Sequence, residues 1–210
     1  MMSGATSNNS FTKSEHLLKW TCMNHSPLPE IVSELRRRRH DDSIFLVAIE
    51  GFGGSGKSTF AASLRDALGS AFVISIDDFI VKERITESSW DGAFDRRRLE
   101  SQVLIPASGG KQISYQRLIW DTNALSDPIV VPKVDYLIVE GISSFHPDIA
   151  RYYSYKIWIE TPIEVARERG RARDGDNENA QHWDLWAAND LAYQEQFNSN
   201  QVADSVVNGT

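Results

Sequence analysis

The feature that most constrains the fold of this chain is the segment at residues 51–58, which has the sequence GFGGSGKS. It fits the pattern G-x-x-x-x-G-K-[ST] at every fixed position, and it lies between an apolar run typical of a strand and a segment with helical spacing. Glycines let the backbone curl so that several N–H groups point at one anion, and the following helix adds its positive dipole end. The segment therefore predicts a phosphate-binding loop.

The residue types of this loop predict binding of a nucleoside triphosphate together with Mg²⁺. Lys57 can reach the β- and γ-phosphates as a point charge, and the hydroxyl of Ser58 is placed to ligate the metal. We expect the triphosphate of ATP to be surrounded by Gly51, Gly53, Gly54, Ser55, Gly56, Lys57, Ser58 and Thr59. The motif alone does not choose between a kinase, an ATPase and a GTPase.

Short apolar runs alternate with helical patterns along the chain. We predict strands at 44–49, 71–76, 134–139, 155–159 and 204–207, and helices at 29–39, 57–68, 94–104 and 183–197, with another from Pro162 onward. A helix that Pro106 stops is expected at 94–104. Uninterrupted apolar strands that alternate with helices are typical of a parallel sheet covered on both faces. The predicted fold class is therefore α/β, a three-layer α/β/α P-loop NTPase fold.

Composition and charge narrow the class of protein further. The 210 residues suffice for one domain, expected at 28–210 after a flexible polar extension at 1–27. A net charge of −7 argues against a broad nucleic-acid surface, and no apolar run approaches the roughly 18 residues that span a bilayer. The single cysteine, Cys22, and the lack of an apolar signal-peptide core favour a cytoplasmic protein.

Acidic residues follow two of the predicted strands. Asp77 and Asp78 end the second strand, and Glu140 ends the third. The carboxyl ends of parallel strands share one edge, where ligands bind, and a carboxylate there can deprotonate a hydroxyl or hold Mg²⁺ through water. Since adjacent residues at a strand end point in different directions, we expect Asp77 to face the phosphates. A cap or turn is the alternative role for these acids.

Five pieces, in chain order, match a known family: the loop at 51–58, ISIDDF at 74–79, WDGAFD at 90–95, VEG at 139–141 and an arginine-rich helix that ends in ARD at 172–174. The series resembles the uridine kinase and phosphoribulokinase-like group of P-loop kinases, and especially its bacterial uridine kinase-like branch, over about residues 30–210. The resemblance implies a kinase that moves the γ-phosphate of ATP, with Mg²⁺, onto a hydroxyl of a small molecule.

The resemblance also implies roles for single residues. Asp77 would act as the base and would stand beside Mg²⁺ with Ser58 and Glu140. A small helical lid at about 167–180 would bring Arg169 and Arg173 over the phosphates, where they would assist catalysis with Lys57. The acceptor would be bordered by Asp78, Phe79, Trp90, Asp95, Tyr115 and Arg117.

The chain departs from the family at positions that concern the acceptor and the lid. Ile80 replaces a usual tyrosine, residues 113–123 contain no histidine, and Gly170 stands where the lid often carries an arginine. Nucleosides, pantothenate-like compounds, sugars and sugar phosphates all stay open as acceptors. Trp90 and Trp120 could stack on a flat ring or serve the structure alone. Trp183 and Trp186 are expected in the core.

Two other functions stay open. A nucleotide-binding regulator would need no acceptor, although the absence of an N-K-x-D motif disfavours a GTPase. A scaffold that has lost catalysis is disfavoured by the intact Lys57, Ser58 and Asp77. The expected partner is a small-molecule acceptor, with neither nucleic acid nor membrane, and a homodimer stays open.

Overall fold

The computed structural model describes residues 27–85, 90–175, 177 and 179–210, so most of the predicted extension at 1–27 lies outside it. Its strands are β1 (Phe45–Gly51), β2 (Ala71–Ser75), β3 (Ser114–Tyr115), β4 (Leu118–Ile119), β5 (Ala124–Leu125), β6 (Ile129–Val130), β7 (Tyr136–Glu140), β8 (Tyr155–Glu160) and β9 (Ser205–Asn208). Its α-helices are α1 (Leu28–Arg38), α2 (Lys57–Leu68), α3 (Arg96–Leu99), α4 (Ile105–Ser108), α5 (Ile163–Asp174), α6 (Trp183–Phe197) and α7 (Ser199–Val202).

Five strands form one parallel sheet in the order β2-β7-β1-β8-β9. Every residue of β1 and β7 is buried, as the apolar runs that make up most of both strands predict for central strands. Glu140 is paired in register with Ile49 on one side and with Ser75 on the other. The ends of β1, β2 and β7 therefore meet at one edge of the sheet, which is where the predicted site residues belong.

Helices cover both faces of the sheet, and each covered face has its own apolar core. On one face, α1 and α2 bury Leu35 and Leu64 against Val47 and Ile138. On the other face, the helical segment from α3 onward and α6 bury side chains such as Leu99 against the sheet. The predicted three-layer α/β/α fold is confirmed.

The prediction that Pro106 stops the helix at 94–104 is wrong. A π-helical turn, Glu100–Leu104, joins α3 to α4, and the N–H of Ile105 donates to the carbonyl of Glu100 five residues earlier. This wider turn changes the hydrogen-bond register just before Pro106, whose missing N–H then falls in the first turn of α4. The helical segment consequently continues to Ser108.

Four short strands between α4 and β7 were not predicted. β3 pairs with β6, and β4 pairs with β5, both antiparallel, so residues 114–130 form a nested hairpin beside the sheet. Two-residue strands carry too little periodicity to be recognised from sequence. No helix in the described part of the chain is long and apolar enough to cross a bilayer.

Candidate active site

The predicted phosphate-binding loop connects β1 directly to α2 and has the curled backbone that the motif requires. Gly54 and Gly56 have φ angles of +78° and +99°, in the left-handed region that favours glycine. A Cβ atom on Gly54 would lie 2.1 Å from the carbonyl oxygen of Ala166. The hydroxyl of Thr161 donates to the carbonyl of Ser55 (3.1 Å) and fixes the loop from outside.

Lys57 and Ser58 stand at the first turn of α2, next to the end of β7. The ammonium group of Lys57 donates to the carbonyl of Phe52 across the loop (2.8 Å). The hydroxyl of Ser58 donates to Oε1 of Glu140 (3.2 Å). Burial raises the pKa of Glu140, and the nearby charge of Lys57 opposes that rise. A cation, a hydroxyl and a carboxylate thus meet beside the loop.

Asp77 and Asp78 lie in the 3₁₀ turn Ile76–Phe79, which follows β2. Their side chains have different surroundings. The turn begins where the hydroxyl of Ser75 accepts the N–H of Asp77 (3.3 Å). Asp77 opens into the cleft beside the loop, where water reaches it although protein atoms crowd around it. This crowding raises the pKa of Asp77, while Lys57 and Arg173 lower it. The carboxylate of Asp78 instead accepts the hydroxyl of Tyr115 (3.3 Å).

The four arginines of α5 divide into two pairs. Arg169 and Arg173 line the cleft, one helical turn apart. Arg167 and Arg171 both pair with Asp184 at the protein surface, at 3.2 Å and 2.6 Å. The arginines spread around the helix as their two-residue spacing predicts, and two of the four reach the cleft.

Trp183 was expected in the core, and it is buried, but it also lies against the phosphate-binding loop. Its ring fills the space between two glycines: a Cβ atom would come within 3.1 Å of the ring from Gly53 and within 2.3 Å from Gly170. The indole N–H donates to the carboxylate of Asp174 (2.8 Å). The family often carries an arginine at position 170. Here the indole of Trp183 occupies the space that a side chain at this position would need.

Of the six residues predicted to border the acceptor, Trp90 lines the cleft. Phe79 is a correction: its side chain is fully buried and stacks on Tyr115, with ring centroids 5.8 Å apart, so it offers no surface to an acceptor. Asp95 caps α3 by accepting the N–H of Arg98 (3.0 Å). Direct contact of Asp78, Asp95, Tyr115 and Arg117 with an acceptor stays a prediction.

The cleft extends beyond Asp77 and has a volume of about 1000 Å³. Besides the loop and the charged residues, its lining includes a group of apolar and aromatic side chains. They are Ile80, Ile85, Trp90, Phe94, Trp120, Ile142 and Trp186.

Asp190 is a site residue that the sequence analysis missed. Its buried carboxylate on α6 accepts the N–H of Gly53 (2.7 Å) and the indole N–H of Trp90 (2.5 Å). Burial raises the pKa of Asp190 to about 6, against the opposing effects of the Gly53 N–H and Lys57. The available signal was an acid at helical spacing from Trp183 and Ala187, on the buried face of the helix.

Glu50 was also missed. It is buried at the end of β1, one residue before the loop, and accepts the N–H of Phe145 (3.0 Å). Burial raises its pKa to about 7, although Lys57 lies near enough to oppose the shift. A charged residue type at the end of an otherwise apolar strand was the signal.

The parallel sheet, the glycine loop between β1 and α2, and the acidic turn after β2 define the fold as that of the P-loop kinases. Among similar solved structures is one titled a possible uridine kinase from Bacillus stearothermophilus, with a TM-score of 0.65 and 17% identity over 86% of this chain and 96% of that chain. Another is a protein assigned as a fructose transport system kinase from Silicibacter sp. TM1040. Its TM-score is 0.67, with 19% identity over 85% of this chain and 98% of that chain.

In sequence, the chain is similar to the nicotinamide riboside kinase of Saccharomyces cerevisiae, with 26% identity over 159 residues. The similarity covers 63% of this chain and 66% of that protein, so the chain spans just under two thirds of the length of this curated relative. No family model matches the chain. The resemblance to uridine kinase-like P-loop kinases, predicted from the motifs, is confirmed by these structures.

Proposed function

We propose that this chain is a kinase that transfers the γ-phosphate of ATP, with Mg²⁺, to a hydroxyl group of a neutral small molecule that carries a flat ring. The observation that carries the proposal is that Lys57, Asp77 and Arg173 line one cleft that is also lined by a group of apolar and aromatic side chains, among them Ile80, Phe94 and Trp120. A switch or a simple ATPase needs the cation and the loop but has no use for a second, apolar compartment. A kinase needs both.

The residues around the loop fit a triphosphate and its metal. Lys57 would exchange the carbonyl of Phe52 for phosphate oxygens. Ser58 and Glu140 supply adjacent hydroxyl and carboxylate oxygens, which suit Mg²⁺. The described residues contain no group of three acidic, histidine or cysteine ligands, and Mg²⁺ commonly completes its shell with phosphate oxygens and water. When bound, the metal would neutralise charge on the transferring group.

We infer that Asp77 would act as the base. The acceptor hydroxyl oxygen would form a bond to the γ-phosphorus, the bond from that phosphorus to the β–γ bridging oxygen would break, and ADP would leave. Asp77 would take the hydroxyl proton, and its raised pKa suits this task. Arg169 and Arg173 would stabilise the negative charge on the phosphoryl oxygens.

The lining of the cleft supports a neutral acceptor with a ring. Trp120 is 47% exposed and would stack on a flat ring with the face that Lys82, 5.0 Å from the ring centroid, does not cover, whereas Trp90 is 5% exposed and offers little surface. Among the described lining residues, the cations are Lys57, Arg169 and Arg173, and all three belong to the loop or to α5. Next to the apolar lining, the ammonium group of Lys82 is engaged by the carbonyl and the ring of Trp120, so a phosphorylated acceptor would have to compete with Trp120 for this cation. The names of two relatives, nicotinamide riboside kinase and possible uridine kinase, favour ring-bearing acceptors too.

The test is release of ADP from Mg–ATP with a panel of nucleosides, sugars, pantothenate and sugar phosphates. We expect turnover with a neutral ring-bearing acceptor. The Asp77→Asn variant should lose about 10²- to 10⁴-fold in kcat because the base is removed. It should still bind Mg–AMP-PNP, as measured by calorimetry.

The neighbouring Asp78→Asn variant is the matched comparison. Its carboxylate accepts the hydroxyl of Tyr115, so its predicted contact with the acceptor would affect KM, and we expect a much smaller loss in kcat than for Asp77→Asn. Normal turnover by Asp77→Asn would contradict the assigned base. Hydrolysis of ATP that no acceptor stimulates, but that a protein partner does, would favour a regulator instead.

A further inference from the structure

The carboxylate of Asp190 joins two segments that lie far from it in sequence. Its Oδ2 accepts the N–H of Gly53 at 2.7 Å, and its Oδ1 accepts the indole N–H of Trp90 at 2.5 Å. Each donor therefore has its own oxygen. We call this arrangement the Asp190 bridge.

The Asp190 bridge connects three parts that have different tasks in the proposed reaction. Gly53 belongs to the phosphate-binding loop, and Trp90 belongs to the apolar wall of the cleft. Asp190 itself is on α6, the helix that follows the lid segment and carries Trp183 against α5. Phosphoryl transfer depends on the alignment of nucleotide, acceptor and lid, and small misplacements cost large factors in rate.

The burial of Asp190 argues that the bridge has a purpose beyond stability. The residue is 3% exposed, and a buried carboxylate costs free energy that an apolar side chain of similar size would avoid. An apolar residue would fill the same space between Gly53 and Trp90, but it would leave both N–H groups without an acceptor and free to change their positions.

We propose that Asp190 is a positioning residue for phosphoryl transfer, which fixes the phosphate-binding loop and the acceptor wall relative to each other. This inference rests on the proposed kinase function. Asp190 lines the cleft, but each of its carboxylate oxygens is engaged by one of the two N–H groups, so we infer that it acts through Gly53 and Trp90.

The Asp190→Asn variant tests the bridge because an amide has one accepting oxygen where the carboxylate has two. One of the two N–H donors must then face an NH₂ group. We expect kcat/KM for the acceptor to fall by about 10- to 100-fold, the range for losing a hydrogen bond to a charged group. Glu195→Gln also changes a carboxylate to an amide, but at an exposed position of α6. Its kcat/KM should stay within about 2-fold of the wild-type value.

The Trp90→Phe variant distinguishes the bridge from two independent effects. It keeps an aromatic ring and removes the indole donor, so the KM for the acceptor should rise by about 3- to 10-fold. In the double variant, the asparagine oxygen can serve Gly53 without a competing donor. The double variant should therefore be no worse than Asp190→Asn alone, within about 2-fold. Losses that multiply would overturn the proposal.

Hydrogen exchange of the Trp90 indole N–H, assigned as the NMR signal that Trp90→Phe removes, measures the bridge without any turnover. Exchange should be slow in the wild type. In Asp190→Asn, either this N–H or the backbone N–H of Gly53, whichever faces the NH₂ group, should exchange at least about 10-fold faster. Unchanged exchange of both N–H groups would overturn the bridge. Faster exchange in a protein whose wild type phosphorylates no acceptor would overturn the proposed function instead. If Asp190→Asn does not fold, an unchanged KM in Trp90→Phe would overturn the bridge.

Discussion

Four carboxyl groups lie near one lysine, Lys57, at the carboxyl end of the sheet. They belong to Glu50, Asp77, Glu140 and Asp190, and burial raises the pKa of each while the charge of Lys57 opposes the rise. Ionised carboxylates are costly where water is scarce. The carboxyl groups around Lys57 therefore reduce the stability of the fold where they are ionised at neutral pH.

Glu50 gives this cost a measurable pH dependence. Because its pKa rises from 4.5 to about 7 on folding, the folded protein holds a proton that the unfolded chain releases. Its stabilising effect is complete below about pH 4.5 and is lost as the pH rises through 7. As the pH rises from 5 to 7.5, the free energy of unfolding of the wild type should fall by about 1–3 kcal/mol relative to that of Glu50→Gln. The glutamine keeps an acceptor for the N–H of Phe145.

Urea denaturation of both proteins across this pH range measures the difference. The Glu195→Gln variant, which alters an exposed carboxylate, should follow the wild type. Parallel pH profiles for the wild type and Glu50→Gln would mean that Glu50 does not titrate as its burial requires.

At the scale of the secondary-structure element, the arginines of α5 lie on two different faces of the helix, one toward the cleft and one toward the protein surface. The sequence alone predicts that arginines two residues apart must spread around a helix, but it does not say which of them meet the cleft. That choice depends on how α5 packs. Ala166 lies against Gly54, and Gly170 lies against Trp183, so the helix presents Arg169 and Arg173 to the cleft.

Arg173→Ala should lower kcat by about 10- to 1000-fold, since under the proposed function it removes a charge that would face the transferring phosphoryl group. Arg171→Ala is the matched control: the same residue type, two positions away, which pairs with Asp184 at the surface. The kcat of this control should stay within about 2-fold of the wild type, because exposed ion pairs contribute little to stability. Steady-state kinetics with saturating Mg–ATP measures both, and equal losses would contradict the assignment of the two faces.

At the scale of the whole molecule, the sheet and the loop can be predicted from local patterns, because a buried parallel strand and a glycine-rich turn are each recognisable within a short segment. Contacts between distant segments cannot be predicted in this way. The hydrogen bond from Gly53 to Asp190 joins residues 137 positions apart, and nothing near Asp190 in the sequence indicates it. The π turn at Glu100–Leu104 and the pairing of β3 with β6 were missed for a local reason, because a single wider turn and two-residue strands carry too little periodicity to be recognised from sequence.

Binding of the nucleotide should stabilise the whole fold. At a concentration 100 times its Kd, Mg–AMP-PNP should raise the free energy of unfolding by about 2.7 kcal/mol. Removal of the metal with EDTA should reduce this gain, and Lys57→Ala should nearly abolish it, because the cation beside the loop is lost. Thermal unfolding followed by calorimetry measures the effect. An equal gain with AMP, which lacks the terminal phosphates, would contradict a triphosphate site.

The contact of Gly170 with Trp183 also limits how this protein can change over evolution. A Cβ atom at position 170 would come within 2.3 Å of the indole, so a larger residue there requires a smaller one at 183. A lineage that gains a third arginine facing the phosphates would have to give up the tryptophan first, or together with that change. In homologues, we expect these two positions to covary, with glycine opposite tryptophan and bulkier residues opposite small ones.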